Sequence, residues 1–254
     1  MQDLKVLSQA IKKTNGAIVS NSRSGNFQKT QTGVTVLDSL FGGGILQGSN
    51  VLLYGEPICG KKLILMRFIY EGLKSQIPAV LILTDFGYLD WKVKMQNLGM
   101  DISPFEKLGN LKIVDCYSKQ FEPSLQNLPS VRFADGPSAL SSISLQISIS
   151  QEEILESFPA HRLGFMSLST LLEETDSKSF YKFIQFQIGK IKKNGATSLF
   201  TLEKGMHDSN DVGMLEHLMD GIIEFEDGKI RARGFGAIPE WKEYSITDNG
   251  IELH

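Results

Sequence analysis

Residues 50–62 read Asn50-Val51-Leu52-Leu53-Tyr54-Gly55-Glu56-Pro57-Ile58-Cys59-Gly60-Lys61-Lys62. Asn50 to Tyr54 is a short, continuously apolar run, the pattern of a strand in a parallel sheet covered on both faces. From Lys62 to Ser75, the side chains of Leu63, Met66, Ile69, Tyr70 and Leu73 fall on one face of a helix. Between strand and helix, Gly55 to Lys62 matches the spacing G-x-x-x-x-G-K-[ST] at every position but the last. Such a loop turns backbone N–H groups and a helix N-terminus toward phosphate, and its lysine reaches the outer phosphates. A plain glycine turn with a surface lysine is the weaker reading, because the strand and the helix stand where the motif requires them. Gly55, Glu56, Pro57, Ile58, Cys59, Gly60, Lys61 and Lys62 are therefore the candidate nucleotide-binding residues, with ATP as the expected ligand. Lys62 replaces the hydroxyl residue that ligates Mg²⁺ in an intact loop. A protonated amine cannot ligate a metal, so the Mg²⁺ site is expected to be lost and ATP to be held weakly.

Outward from this loop the chain alternates. Strands are expected at Ala79 to Leu83, Leu111 to Val114, Arg162 to Met166 and Thr197 to Thr201. Helices are expected at Tyr88 to Leu98, Ser138 to Ser157 and Ser179 to Asn194. Residues 118–136 read as a long loop. Gly221 to Glu226, Lys229 to Arg233 and Glu243 to Thr247 read as closing hairpin strands. The order predicts an α/β fold: a mostly parallel central sheet flanked by helices, with antiparallel strands at its C-terminal edge. Upstream, Leu4, Leu7 and Ile11 mark a short amphipathic helix over residues 3–13. Residues 14–32 are polar and glycine-bearing, as a linker is. The chain thus divides into an N-terminal helix and linker, 1–31, and one domain, 32–254.

The bulk figures set limits. The chain has 254 residues, 41% hydrophobic and 22% charged, which suits a globular core. A net charge of −3 speaks against a dedicated nucleic-acid binder. Lys190, Lys192 and Lys193 read as a helix C-terminus favoured by the macrodipole. Two cysteines, Cys59 and Cys116, make no disulfide framework and suggest a reducing, cytoplasmic setting. No apolar run is long enough to span a membrane, and the N-terminus lacks the apolar core of a signal peptide. His207 and His217, near Asp208, Asp211 and Glu216, are better read as a capped loop and a packed helix end than as metal ligands. His161, Ser167 and Ser169 form no nucleophile elbow. Trp91 and Trp241 read as packing residues.

Several stretches together resemble the single-domain KaiC-like proteins of the RecA superfamily, relatives of RadA. Thr32-Gly33-Val34-Thr35-Val36-Leu37-Asp38 followed by Gly42-Gly43-Gly44-Ile45-Leu46-Gln47-Gly48-Ser49 is similar to the family's opening motif. Residues 202–208, 216–224 and 246–251 are similar to its later ones. The resemblance runs from about residue 30 to the end and implies a RecA-type P-loop domain. It also exposes departures. The family has glycine where Ile58 stands and Ser or Thr where Lys62 stands. Its two adjacent glutamates, which activate the attacking water, fall on Asp85 and Phe86, leaving Asp85 as the one candidate base. Its Walker B aspartate falls on Met166. Positions 62 and 166 are the two protein positions on the metal side, and both have lost oxygen. Arg231 and Arg233 fall where the family places basic residues at the subunit boundary, facing a neighbour's nucleotide. The competing reading is a solvated strand.

The expectation is a KaiC-like regulatory or scaffolding protein that binds ATP weakly and hydrolyses little or none. It would self-associate or join an intact KaiC-like homologue. One alternative is an active ATPase using Asp85, with Mg²⁺ held by phosphates and water. The other is a DNA-recombination accessory protein of the RadA-paralogue type. The loop near residues 204–213 disfavours the latter, with Asp208 and Asp211 against Lys204.

Overall fold

A computed structural model describes residues 29–247 and 250–254. The expected helix at 3–13 and most of the linker lie outside the described residues, as do Asp248 and Asn249.

The strands are β1 (Lys29–Thr30), β2 (Ile45–Leu46), β3 (Asn50–Gly55), β4 (Ala79–Leu83), β5 (Leu111–Asp115), β6 (Val131–Phe133), β7 (Arg162–Met166), β8 (Thr197–Glu203), β9 (Gly221–Glu226), β10 (Lys229–Gly234), β11 (Lys242–Thr247) and β12 (Gly250–Leu253). The helices are α1 (Thr35–Leu40), α2 (Lys61–Lys74), α3 (Tyr88–Asn97), α4 (Ser103–Lys107), α5 (Leu140–Leu155), α6 (Leu168–Glu174), α7 (Ser177–Lys193) and α8 (Ser209–Leu218).

Ten strands form one sheet in the order β12-β11-β10-β9-β3-β8-β7-β4-β5-β6. From β9 to β6 the neighbours are parallel; β9, β10, β11 and β12 pair antiparallel. The continuous apolar runs follow from this layering. Val51 and Leu53 point into a core layer with Leu65, Phe68 and Ile69 of α2, whereas Leu52 points into the opposite layer with Ile184 and Ile188 of α7. Leu81 and Leu83 of β4 share the first layer and Val80 and Ile82 the second. A strand covered on both faces has no position left for a polar alternation.

Three features depart from the sequence expectation. Residues 118–136 are not all loop: Ser118–Gln120 makes a 3-10 turn, and β6 pairs with β5 in the register Ile113↔Val131. Three residues are too few to show a period. Helices α1, α4, α6 and α8 and strand β12 were also not expected from the sequence. The second half of the candidate loop at 204–213 belongs to α8, which starts at Ser209.

The serine content of α5 has a structural role. Gln187 and Lys190 of α7 donate to the hydroxyls of Ser144 and Ser148, so this helix pair meets through hydrogen bonds. At the start of the domain, the buried Arg162 guanidinium donates to the carbonyls of Gln31, Thr32 and Phe68 and stacks over the Phe68 ring. It thereby fastens residues 31–32 to the sheet. Burial lowers its pKa from 12.5 to about 10.

Candidate functional site

The carboxyl ends of β3, β8, β4 and β7 lie side by side. Gly55 is in register with Glu203, Leu83 with Met166, and the Thr84 N–H donates to the Met166 carbonyl at 2.8 Å. Open α/β sheets place ligands in the crevice at this end.

The loop from Gly55 to Lys61 closes β3 and opens α2. Its tip, Ile58, has φ +65° and is 94% exposed. A β-branched residue rarely takes this left-handed conformation, which glycine takes freely. The chain keeps the bend of a glycine loop without the glycine. Gly60, at φ +95°, caps the helix, and a Cβ there would stand 2.6 Å from the Ile251 side chain of β12. The first bond of α2 runs from the Ile64 N–H to the Gly60 carbonyl at 3.0 Å. The amides of Lys61, Lys62 and Leu63 precede it and make the positive end of the helix.

The two lysines of the loop are engaged with acids of the same chain. Lys61 is 1% exposed. Its ammonium donates to the carbonyls of Gly55 (3.0 Å) and Glu56 (2.6 Å) and to Glu203 Oε2 (2.5 Å). The Lys62 ammonium lies 2.5 Å from Asp85 Oδ2 and 3.8 Å from Glu203 Oε1. The other Asp85 oxygen accepts from the hydroxyls of Thr84 (3.2 Å) and Thr170. Phe86 adds no polar group: the Lys94 ammonium sits 4.1 Å from its ring centroid and that of Lys62 5.8 Å. Met166 is fully buried in the core layer beneath the site.

Around this cluster is an open pocket of about 380 Å³, lined by Pro57, Ile58, Gly60, Lys61, Lys62, Leu63, Glu203 and Ile246. The closing strands form one wall, and the Tyr244 hydroxyl donates to the Cys59 carbonyl at 2.8 Å. Burial raises the Tyr244 pKa to about 12 and pushes the Cys59 thiol up. Cys59 Sγ lies 3.8 Å from the Lys61 ammonium.

Glu203 and Thr170 are contributors that the sequence reading did not single out. Glu203 falls two residues past the expected end of its strand. The available signal was an acid at the carboxyl end of a strand, next to the loop strand in the sheet.

Arg231 and Arg233 lie on β10, and both pair with Glu224. Arg233 also pairs with Glu216 at 2.7 Å, and Arg231 stacks over Trp241 at 4.3 Å. Trp91 is buried, but Trp241 is partly exposed beneath this arginine. His207 Nδ1 lies 3.2 Å from Glu173, and His217 lies in the last turn of α8. Among the described residues, no three His, Cys, Asp or Glu side chains converge as metal ligands.

The family model described as "ATPase: KaiC" matches residues 30–254. The chain belongs to the KaiC family. It is 27% identical over 241 residues to a UPF0273 protein of Thermotoga maritima, covering 89% of this chain and 96% of that one. It is 26% identical to the circadian clock oscillator protein KaiC of a Nostoc species and 25% identical to the DNA repair protein RadA of Pseudomonas aeruginosa. It spans 44% of the length of each. The crystal structure of a KaiC-like protein from Pyrococcus horikoshii superposes with a TM-score of 0.69 at 19% identity, covering 90% of this chain and 99% of that one. Residues 30–254 of this KaiC-family chain thus form a RecA-fold P-loop ATPase domain. Among its described residues no helix is long and apolar enough to cross a membrane.

Proposed function

We propose that this KaiC-family domain is a regulatory or scaffolding subunit that holds phosphate anions weakly, without a metal, and turns over ATP little or not at all. The observation that carries the reading is the Lys62 ammonium 2.5 Å from Asp85. One contact affects two functions. It puts a fixed cation on the metal side of the site, and it occupies the one carboxylate left to activate water. With Thr84 and Thr170 on its other oxygen, Asp85 has little capacity left to accept a water proton.

Mg²⁺ demands near-octahedral oxygen coordination at short range. Positions 62 and 166 supply an amine and a thioether, so the residues present do not suit the ion. The phosphate side is better preserved. Lys61, the first amides of α2 and the bend of the loop are the parts that bind phosphate charge. Affinity and catalysis therefore separate in this chain.

Lys62→Thr combined with Met166→Asp tests the reading. Wild-type ATP turnover is expected near background and ATP affinity indifferent to Mg²⁺, as read by calorimetry in EDTA and in Mg²⁺. The double variant should gain Mg²⁺-dependent affinity. Wild-type turnover at the level of an active family member, abolished by Lys61→Ala, would sink the proposal and favour the active-ATPase reading. No observation favours a DNA-recombination role: the 204–213 segment runs into a helix carrying Asp211 and Glu216.

A further inference from the structure

We infer that Glu203 and Asp85 act as built-in competitors for the anion, and that their hold on Lys61 and Lys62 sets the affinity of the loop for metal-free oligophosphates. The inference rests on the weak-binding reading above and assigns residues to it.

The charges at the carboxyl ends of the strands cancel. Two lysines face two carboxylates, each lysine 2.5 Å from its own acid. Within this cluster, the helix N-terminus is left as the uncompensated positive potential that an arriving triphosphate meets. To engage the lysines it must displace carboxylates already desolvated beside them. The two pairs differ in depth. The Lys61 side chain is 2% exposed and that of Glu203 11%, whereas that of Lys62 is 37% exposed and that of Asp85 18%. A charge left unpaired by removal of its buried partner is strongly disfavoured, so it gains most from a new counter-ion. Neutralising Glu203 creates this situation at Lys61, whose two remaining acceptors are uncharged carbonyls. Neutralising Asp85 leaves Lys62, the more exposed cation, with Glu203 at 3.8 Å as its remaining acid. Lys62 is more exposed than Asp85, so an anion can meet its ammonium from the solvent side, whereas Lys61 is more buried than Glu203 and is reached only by displacing that carboxylate.

The test is a calorimetric titration in EDTA with ATP and with inorganic tripolyphosphate. It compares wild type, Glu203→Gln, Asp85→Asn and Lys61→Ala. Wild type is expected to bind weakly and Lys61→Ala not at all. Each amide variant should bind about tenfold more tightly than wild type, the change set by removing one competing charge. The gain should be equal for the two ligands, because the freed lysines touch only phosphate. Wild-type binding with no gain in either amide variant overturns the competition while leaving the weak-binding reading intact. A gain confined to ATP overturns the oligophosphate assignment. No binding by any form overturns both readings. If Glu203→Gln fails to fold, Asp85→Asn decides the question, since it alters a less buried pair.

Discussion

At the residue scale, Ile58 carries the strain of the loop. Its φ of +65° puts a β-branched side chain in the left-handed region, at a cost of about 1–2 kcal/mol. Being 94% exposed, the side chain recovers nothing by burial. Ile58→Gly removes the strain but adds backbone freedom to the unfolded chain, worth roughly 0.5–1 kcal/mol. The net expectation is a gain of up to about 1 kcal/mol, or about 2–4 °C in Tm for a domain of this size. Differential scanning calorimetry reads this directly. A lower Tm in the glycine variant would mean that Ile58 makes a stabilising contact. The loop motif was legible in the sequence to the residue. The partners of its lysines were not, because Lys61 and Glu203 are separated by 142 positions and meet only through the adjacency of β3 and β8.

At the scale of elements, the join of α5, α7 and β7 carries a pH-sensitive group. Asn194, at the end of α7, donates to Gln151 of α5, and the Gln151 amide faces His161 Nε2 at 3.2 Å. His161 is 2% exposed, and burial lowers its pKa from 6.5 to about 4. The unfolded chain takes up a proton near pH 6.5, while the folded chain stays neutral until about pH 4. Above pH 6.5 both states are neutral and the histidine has no effect. As the pH falls below 6.5 the unfolded state binds the extra proton, so stability declines and levels off below about pH 4. The full loss is at most about 3 kcal/mol. Urea midpoints taken between pH 7 and pH 4 should fall more steeply for wild type than for His161→Gln. Parallel curves would refute the assignment. Helices α5 and α7 were legible in the sequence, but this join was not. Serine lowers helix propensity in isolation, and the serines and glutamines find their partners across the interface.

At the scale of the whole molecule, the parallel core ends in an antiparallel edge of β10, β11 and β12, with Ile238, Trp241 and Ile246 exposed on or beside it. Arg231 and Arg233 lie on this edge, already paired with Glu224 and Glu216. A scaffold needs a partner, and we expect the chain to self-associate or to join an intact KaiC-family protein. Light scattering after size exclusion should give a mass above that of one chain at high concentration, or a co-purifying homologue. A strict monomer with no such partner would count against the scaffolding proposal. Glu224→Ala should alter this association if the arginines contribute, because it removes the acid that both share and leaves Arg233 with Glu216 alone.

The sequence by itself determined the fold class, the place of the phosphate loop and the presence of an amine and a thioether at positions 62 and 166. These follow from local facts: apolar runs that only a doubly covered strand tolerates, glycines at fixed spacing, and side chains without lone pairs suited to a metal. The tertiary structure alone decided what the two lysines do. Strand order put Glu203 beside Gly55 and brought Thr170 to Asp85, converting two cations that spacing directs at a ligand into two internal ion pairs. The physical reason is that a buried charge is compensated by whatever the fold places within a few ångströms, and adjacency in a parallel sheet is set by crossover connections that leave no local trace in the sequence.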